Sequence, residues 1–246
     1  IVGGRHIEFQ VLGDGRGNAI HLGERECSIQ RRHQKLLEEA PSPMMSDEQR
    51  NHYGDLSAKA AASFNYAGAG TIEYLLDEDG SLFFLEMNTR LQVEHPVSES
   101  ITGIDLMQQQ IIIAAGGSLP STQDEVTFKG HAIELRVNAE DTNDDFRPTP
   151  GQLTSFAING DGIRFDTHLQ AGDSVPPFYD SLLGKVIAHA DTREQCIKML
   201  VAAIGEADIE GLPTTLGLQR DILLSDDFKN ARCDTLWLDS FLSGNK

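Results

Sequence analysis

The chain has 246 residues, enough for one large domain or two smaller ones. Its 20 Lys and Arg against 38 Asp and Glu leave a net charge of −18, which excludes a general nucleic-acid or anionic-membrane binder, since both need a basic surface. Three widely separated cysteines (Cys27, Cys196, Cys233) without a CxxC exclude a disulfide framework and a cysteine zinc site, and no apolar run approaches the ~20 residues of a membrane span.

Residues 7–12 and 19–29 read as strands, joined by the turn signals Asp14-Gly15 and Gly17-Asn18. Ser46 caps a helix expected over Asp47–Phe64. Asp47 and Glu48 suit its first turn, and Tyr53, Leu56, Ala60 and Phe64 recur on one face. Residues 70–76 and 81–87 form an expected hairpin around Asp77-Glu78-Asp79-Gly80. Asp105 caps a helix to Ala115, closed by Gly116-Gly117. Residues 116–129 are the expected seam. Strands follow at 131–138, 152–158 and 183–189, then a helix at 192–204 with Asp191 as cap. Two shorter helices at 214–224 and 234–241 complete an α+β pattern with two sub-domains.

The hairpin carries most of the chemistry. If Leu76 lies opposite Ser81, Glu73 faces Phe84, Phe84 and Glu86 share a face, and Glu73 and Glu86 are diagonal neighbours about 7–8 Å apart at Cα. Asn88 follows on the same side. An all-oxygen set of two carboxylates and an amide suits Mg²⁺ or Mn²⁺. The competing reading is a hairpin end fraying into solvent, and a register slip of one residue removes the metal argument. Arg90, Gln92 and Glu94 keep the parity of Glu86 and Asn88 if the strip stays extended until Pro96 stops it. A guanidinium and an amide recognise a small oxyanion, and a carboxylate beside them can act as a base. Gln30-Arg31-Arg32-His33-Gln34-Lys35 concentrates cations in an acidic chain. It points to an anionic ligand, or to a solvated turn pairing with Glu38 and Glu39. Arg136, between apolar strand residues, has a structural ion pair as its default role. No GxxxxGK[ST] phosphate loop is present.

Glu86-Met87-Asn88-Thr89-Arg90-Leu91-Gln92-Val93-Glu94-His95-Pro96 resembles the signature of biotin carboxylase, the ATP-grasp component of biotin-dependent carboxylases. Arg5-His6-Ile7-Glu8, the Ser28–Lys35 run, Gly68-Ala69-Gly70-Thr71, Arg136-Val137-Asn138-Ala139-Glu140-Asp141 and the Tyr179–Lys185 run match further stretches of that family. The resemblance implies part of an ATP-grasp domain over 1–115, a connecting segment over 116–129 and a biotin carboxylase C-terminal α+β domain over 130–246. It implies that Glu73, Glu86 and Asn88 hold Mg²⁺ or Mn²⁺ on the ATP phosphates. Lys35, Arg90, Gln92 and the Val93 backbone would bind bicarbonate, and Glu94 would deprotonate it. Arg136 would stabilise the biotin enolate. His6, Gln30, His33, Leu75, Leu85 and Leu212 would line the nucleotide.

The family's N-terminal domain and glycine-rich lid have no counterpart here, and no biotinylation motif is present. The chain is therefore expected to be the C-terminal part of a carboxylase and inactive, or nearly so, in isolation. Biotin would sit on a separate carrier domain. Implied partners are that carrier, a carboxyltransferase and a second copy in a homodimer, with no nucleic acid and no membrane. Expected localisation is the cytoplasm in a bacterium or the mitochondrial matrix in a eukaryote. Two alternatives stand beside this reading: a fragment of another ATP-grasp ligase of carbamoyl-phosphate-synthetase type, and a non-catalytic dimerisation module.

Overall fold

The computed structural model describes residues 3–244, so the outermost positions of both expected domains lie outside the described residues. The chain divides into two compact units, one running to Ala132 and resuming at Cys233, the other Ile133–Arg232.

The first unit holds a five-stranded antiparallel sheet. Its strands are β1 (Arg5–Asp14), β2 (Ala19–Arg31), β3 (Gln34–Ala40), β4 (Ala67–Leu76) and β5 (Leu82–Asn88), in spatial order β3-β2-β1-β4-β5. Around it lie α1 (Asp47–Ser63), α2 (His95–Thr102) and α3 (Leu106–Ala114). Strict alternation divides the residues of β1. Ile7 and Phe9 turn to one face, where they pack with Met45, Ile72, Tyr74 and Leu76. His6, Glu8 and Gln10 turn to the other, as side chains of successive strand residues must. Farther along the sheet, Leu12, Ala69 and Leu22 pack against Leu106 and Ile113 of α3.

Ser46 and Gln49 close a capping box on α1, and Asp105 accepts the Gln108 N–H at the start of α3. The buried side of α1 differs from the expected one. Arg50, Gly54, Ser57, Ala58 and Ala61 face inward, whereas Leu56 and Phe64 are half exposed. Small residues are needed there because a Cβ on Gly54 would lie 2.4 Å from the His21 ring. The turn within Gln30–Lys35 is confined to Arg32 and His33, and residues 34–40, for which no element was expected, form β3, in which Lys35 through Ala40 are all buried.

The second unit contains most of β6 (His131–Asn138), followed by the short strands β7 (Glu140–Asp141), β8 (Arg147–Pro148), β9 (Gly151–Gln152) and β10 (Ser155–Ala157). Next come β11 (Ile163–Thr167), β12 (Ser174–Val175) and β13 (Leu182–Ala190). The expected strand at 152–158 is thus two short pieces, and β11 was absent from the sequence reading. Helix α4 (Arg193–Gly205) is capped by Thr192, not Asp191, because the Thr192 hydroxyl accepts the Gln195 N–H. Strand β14 (Asp208–Glu210), α5 (Leu216–Leu224) and α6 (Asp226–Lys229) complete this unit, and α7 (Trp237–Gly244) belongs to the first. Among the described residues, no helix is long and apolar enough to cross a membrane.

Candidate active site

Four charged residues stand in one row across the sheet. Arg25 on β2 lies opposite Glu8 on β1, Glu8 opposite Glu73 on β4, and Glu73 opposite Glu86 on β5. Opposed residues on antiparallel strands project from the same face. The Glu73–Glu86 relation corrects the expected diagonal. Leu76 pairs with Leu82, Tyr74 with Phe84, and then the register shifts by one so that Glu73 pairs directly with Glu86. Leu85 is the extra residue of this bulge. Phe84 therefore leaves the face of Glu86 and meets the Tyr74 ring at 6.2 Å. The Asn88 amide donates to Glu73 at 2.9 Å and to Glu86 at 3.2 Å, so the three oxygen-bearing side chains converge.

Lys35 enters this face from β3. Its ammonium donates to Glu8 at 2.5 Å, Glu94 at 2.6 Å and Glu73 at 3.4 Å. His6 Nε2 lies 2.9 Å from the other Glu73 oxygen, and the Gln92 amide donates to Glu73 at 2.8 Å. Residues 89–94 do not continue the strand. They turn, and Pro96 opens α2 rather than merely stopping a strip. The fixed φ of proline suits a first helical turn. The turn buries Gln92 and Glu94 and leaves Arg90 exposed, its guanidinium donating to the Leu91 carbonyl at 3.3 Å.

The charges support one another. Burial alone would push the Glu8 carboxyl up, but Arg25, Lys35 and His6 outweigh it and hold its pKa at about 2. Burial likewise opposes ionisation of Glu73, which the His6 hydrogen bond and the Lys35 charge bring down to about 2. Burial works against the Lys35 ammonium, yet the surrounding carboxylates raise its pKa. Cys27, buried beside them, is held as a neutral thiol by desolvation. The result is a fixed ammonium beside the ionised Glu8 and Glu73, next to an all-oxygen donor set of the kind hard divalent cations prefer. His6, Glu8 and Glu73 also offer donor atoms within 4.8 Å of one another.

Residues 1–122 match the family profile of the carbamoyl-phosphate synthase L chain, ATP binding domain, and residues 134–240 match that of the biotin carboxylase C-terminal domain. The chain is 52% identical over 232 residues to a biotin carboxylase of a Nostoc species, covering 94% of this chain and 52% of that protein. This chain belongs to the biotin carboxylase family. The chloroplastic biotin carboxylase of Arabidopsis thaliana is likewise 52% identical over 235 residues, covering 95% of this chain and 44% of that protein. The chain thus spans about half the length of the curated relatives it matches. Among solved structures, it resembles the biotin carboxylase domain dimer of the Hydrogenobacter thermophilus 2-oxoglutarate carboxylase in complex with MgADP, ADP and bicarbonate. The TM-score is 0.95 at 46% identity, over 98% of this chain and 53% of that one.

The other residues named from biotin carboxylase resemblance are more scattered. Leu75 lies half buried on the site face of β4, opposite His6. Leu85 is 49% exposed at the bulge. Gln30 is half buried at the end of β2, and His33 is exposed at the β2–β3 turn with φ 67°. Val93 is half buried beside Glu94. Arg136, on β6, and Leu212, between β14 and α5, belong to the second unit, where the Arg136 carbonyl accepts from Thr215 and Gln219. Two residues absent from the sequence-derived site are central to it: Glu8 and Arg25. Their signal was the alternation His6-Ile7-Glu8-Phe9-Gln10 and the charged triplet Glu24-Arg25-Glu26 inside apolar strands.

Proposed function

We propose that the protein carrying this chain is the biotin carboxylase component of a biotin-dependent carboxylase. It uses MgATP and bicarbonate, by way of carboxyphosphate, to carboxylate biotin on a carrier domain. The observation that carries this reading is the buried Lys35 ammonium held by Glu8, Glu73 and Glu94 beside Glu86, Asn88 and Gln92.

In this reading Glu73, Glu86 and Asn88 hold Mg²⁺ or Mn²⁺, which neutralises charge on the ATP phosphates when bound. Lys35, Arg90, Gln92 and the Val93 backbone orient bicarbonate. Glu94 takes the bicarbonate proton as a bicarbonate oxygen attacks the γ-phosphorus and ADP leaves. Carboxyphosphate then breaks into CO₂ and phosphate. The phosphate removes the proton from the biotin ureido nitrogen, and that nitrogen attacks CO₂. Arg136 stabilises the enolate charge in between. The carrier domain, a carboxyltransferase and a second copy of the chain are the proposed partners. Alone, the 246-residue chain is expected to cleave little ATP.

The test is ATP cleavage by the full-length protein with bicarbonate, with and without free biotin, and separately with carbamate. Biotin-stimulated, bicarbonate-dependent cleavage is expected. Turnover with carbamate and none with biotin would overturn the reading in favour of a carbamoyl-phosphate-type ligase.

A further inference from the structure

Arg25 has no side-chain atom open to solvent, and its guanidinium is fully used. Nε donates to Glu8 at 2.6 Å. One terminal nitrogen donates to Gln10 Oε1 at 2.6 Å and to the Ser98 hydroxyl at 3.0 Å. The other donates to the Thr71 hydroxyl and to Gln92 Oε1, both at 3.1 Å. A guanidinium has five N–H donors in a rigid planar fork and no acceptor. Each acceptor it meets is therefore told which way to face.

For Gln92 this matters. An amide can turn over at little cost in water, exchanging its oxygen for its NH₂ group. Here Arg25 accepts nothing, so the Gln92 oxygen must point to it. At the other end the Glu73 carboxylate donates nothing, so the NH₂ group must point there, at 2.8 Å. The two charged groups hold the amide in one orientation, with both N–H donors on the side of Lys35 and Glu73. Gln10 is oriented in the same way: its oxygen faces Arg25 and its NH₂ group donates to the Gly70 carbonyl at 2.9 Å. Three further acceptors, Glu8 on β1, Thr71 on β4 and Ser98 on α2, pin the guanidinium itself.

We propose that Arg25 is a positioning residue for the anion pocket: it fixes the Gln92 amide with its NH₂ group toward the bicarbonate. This rests on the reading that Gln92 contacts bicarbonate. Arg25 does not touch the reacting atoms. It acts through Gln92, so its effect belongs to bicarbonate and not to the nucleotide.

Arg25→Lys in the full-length protein tests this. Lysine keeps a positive charge beside Glu8, but one ammonium with three donors cannot serve five acceptors. The KM for bicarbonate is expected to rise about tenfold, the scale of one well-placed hydrogen bond, with the KM for ATP within about twofold. In a Gln92→Ala background the same substitution should leave the bicarbonate KM unchanged, because the coupling partner is gone. Additive effects of the two substitutions overturn the proposal. So does a fall in kcat with both KM values unchanged, which marks a purely structural role.

If Arg25→Lys does not fold, Thr71→Val carries the test. It frees the terminal nitrogen that holds Gln92, and an unchanged bicarbonate KM overturns the proposal. A second measurement is independent of turnover. In the ¹⁵N-glutamine spectrum, the Gln92 side-chain NH₂ pair should be well dispersed in the parent and collapse toward free-amide positions in the variant. If the parent shows no bicarbonate-dependent ATP cleavage, the functional reading fails, and these signals alone decide the role of Arg25. Unchanged signals overturn it.

Discussion

Buried charge in the first unit is arranged by pairing, and the pairings set opposite pH dependences. Glu8 and Glu73 have pKa values near 2, below the ordinary carboxylate value of 4.5. Their contribution to stability is complete above about pH 4.5 and is lost as pH falls toward 2. Glu26 runs the other way. It is buried on β2, where desolvation raises its pKa to about 7. Arg5 and the hydroxyls of Ser28 and Ser42 only partly offset this, and Glu39 adds to it. Its folded state favours the protonated acid, so stability is full below about pH 4.5 and falls as pH rises through 7. Glu26→Gln should therefore leave stability at pH 4 nearly unchanged and raise it at pH 8 by up to about 3 kcal/mol. Urea unfolding at the two pH values checks this, and equal effects at both would refute the assignment. Glu73, Glu86, Asn88, Gln92 and Glu94 were legible as candidates because they lie close together in sequence on or after one hairpin. Glu8 and Arg25 were not, because a buried ion is recognisable only by its partner, and theirs lie on other strands.

Elements in this chain start where their local chemistry says, but their packing depends on contacts that the local pattern does not contain. The caps at Ser46 and Asp105 were readable because a cap is decided within three residues. The inward face of α1 was not readable from apolar spacing, since that helix approaches the sheet over His21 with small residues. Gly54→Ala shows the conflict. Alanine favours a helix interior by about 1 kcal/mol. Its Cβ, however, would lie 2.4 Å from a His21 ring that is itself enclosed by Phe9 and Phe128. Overpacking of this kind costs about 1–3 kcal/mol, so after the helix gain a net loss of up to about 2 kcal/mol is expected. A thermal melt that rises would contradict it. Strand β3 was missed for a related reason. Gln34-Lys35-Leu36-Leu37-Glu38-Glu39 follows a run of cations and carries three charges of its own, and only burial of those charges among partners on other strands makes it a strand.

At the scale of the whole molecule, the first unit is closed by the far end of the chain. The Thr235 backbone N–H and hydroxyl both donate to the Gly4 carbonyl, at 3.1 and 2.9 Å, immediately before β1 begins. Cys233 and Leu238 are buried in the same unit. Truncation after Arg232 should thus destabilise the first unit by about 2–5 kcal/mol, the cost of losing one or two buried apolar side chains. The second unit, from which nothing is removed, should keep its stability. Hydrogen exchange resolved by segment tests this: faster exchange confined to residues 133–232 would contradict it. The net charge of −18 also takes a spatial meaning. Few cations are available to an anionic ligand, and Lys35 and Arg25 are both buried within the carboxylate row.

By itself the sequence determined the α+β class, the hairpin around Asp77–Gly80, the starts of α1 and α3, and the cluster of oxygen-bearing side chains that marks the family. These follow from short-range rules, because alternation, capping and turn chemistry act over a few residues. Tertiary structure alone decided the bulge at Leu85, which places Glu86 opposite Glu73, and the descent of residues 89–94 into a turn that buries Gln92 and Glu94. It also decided the burial of Arg25 and Lys35. Register and ion burial depend on which distant strands become neighbours. An ionised side chain stays inside only where several opposite charges and hydrogen bonds converge to replace water.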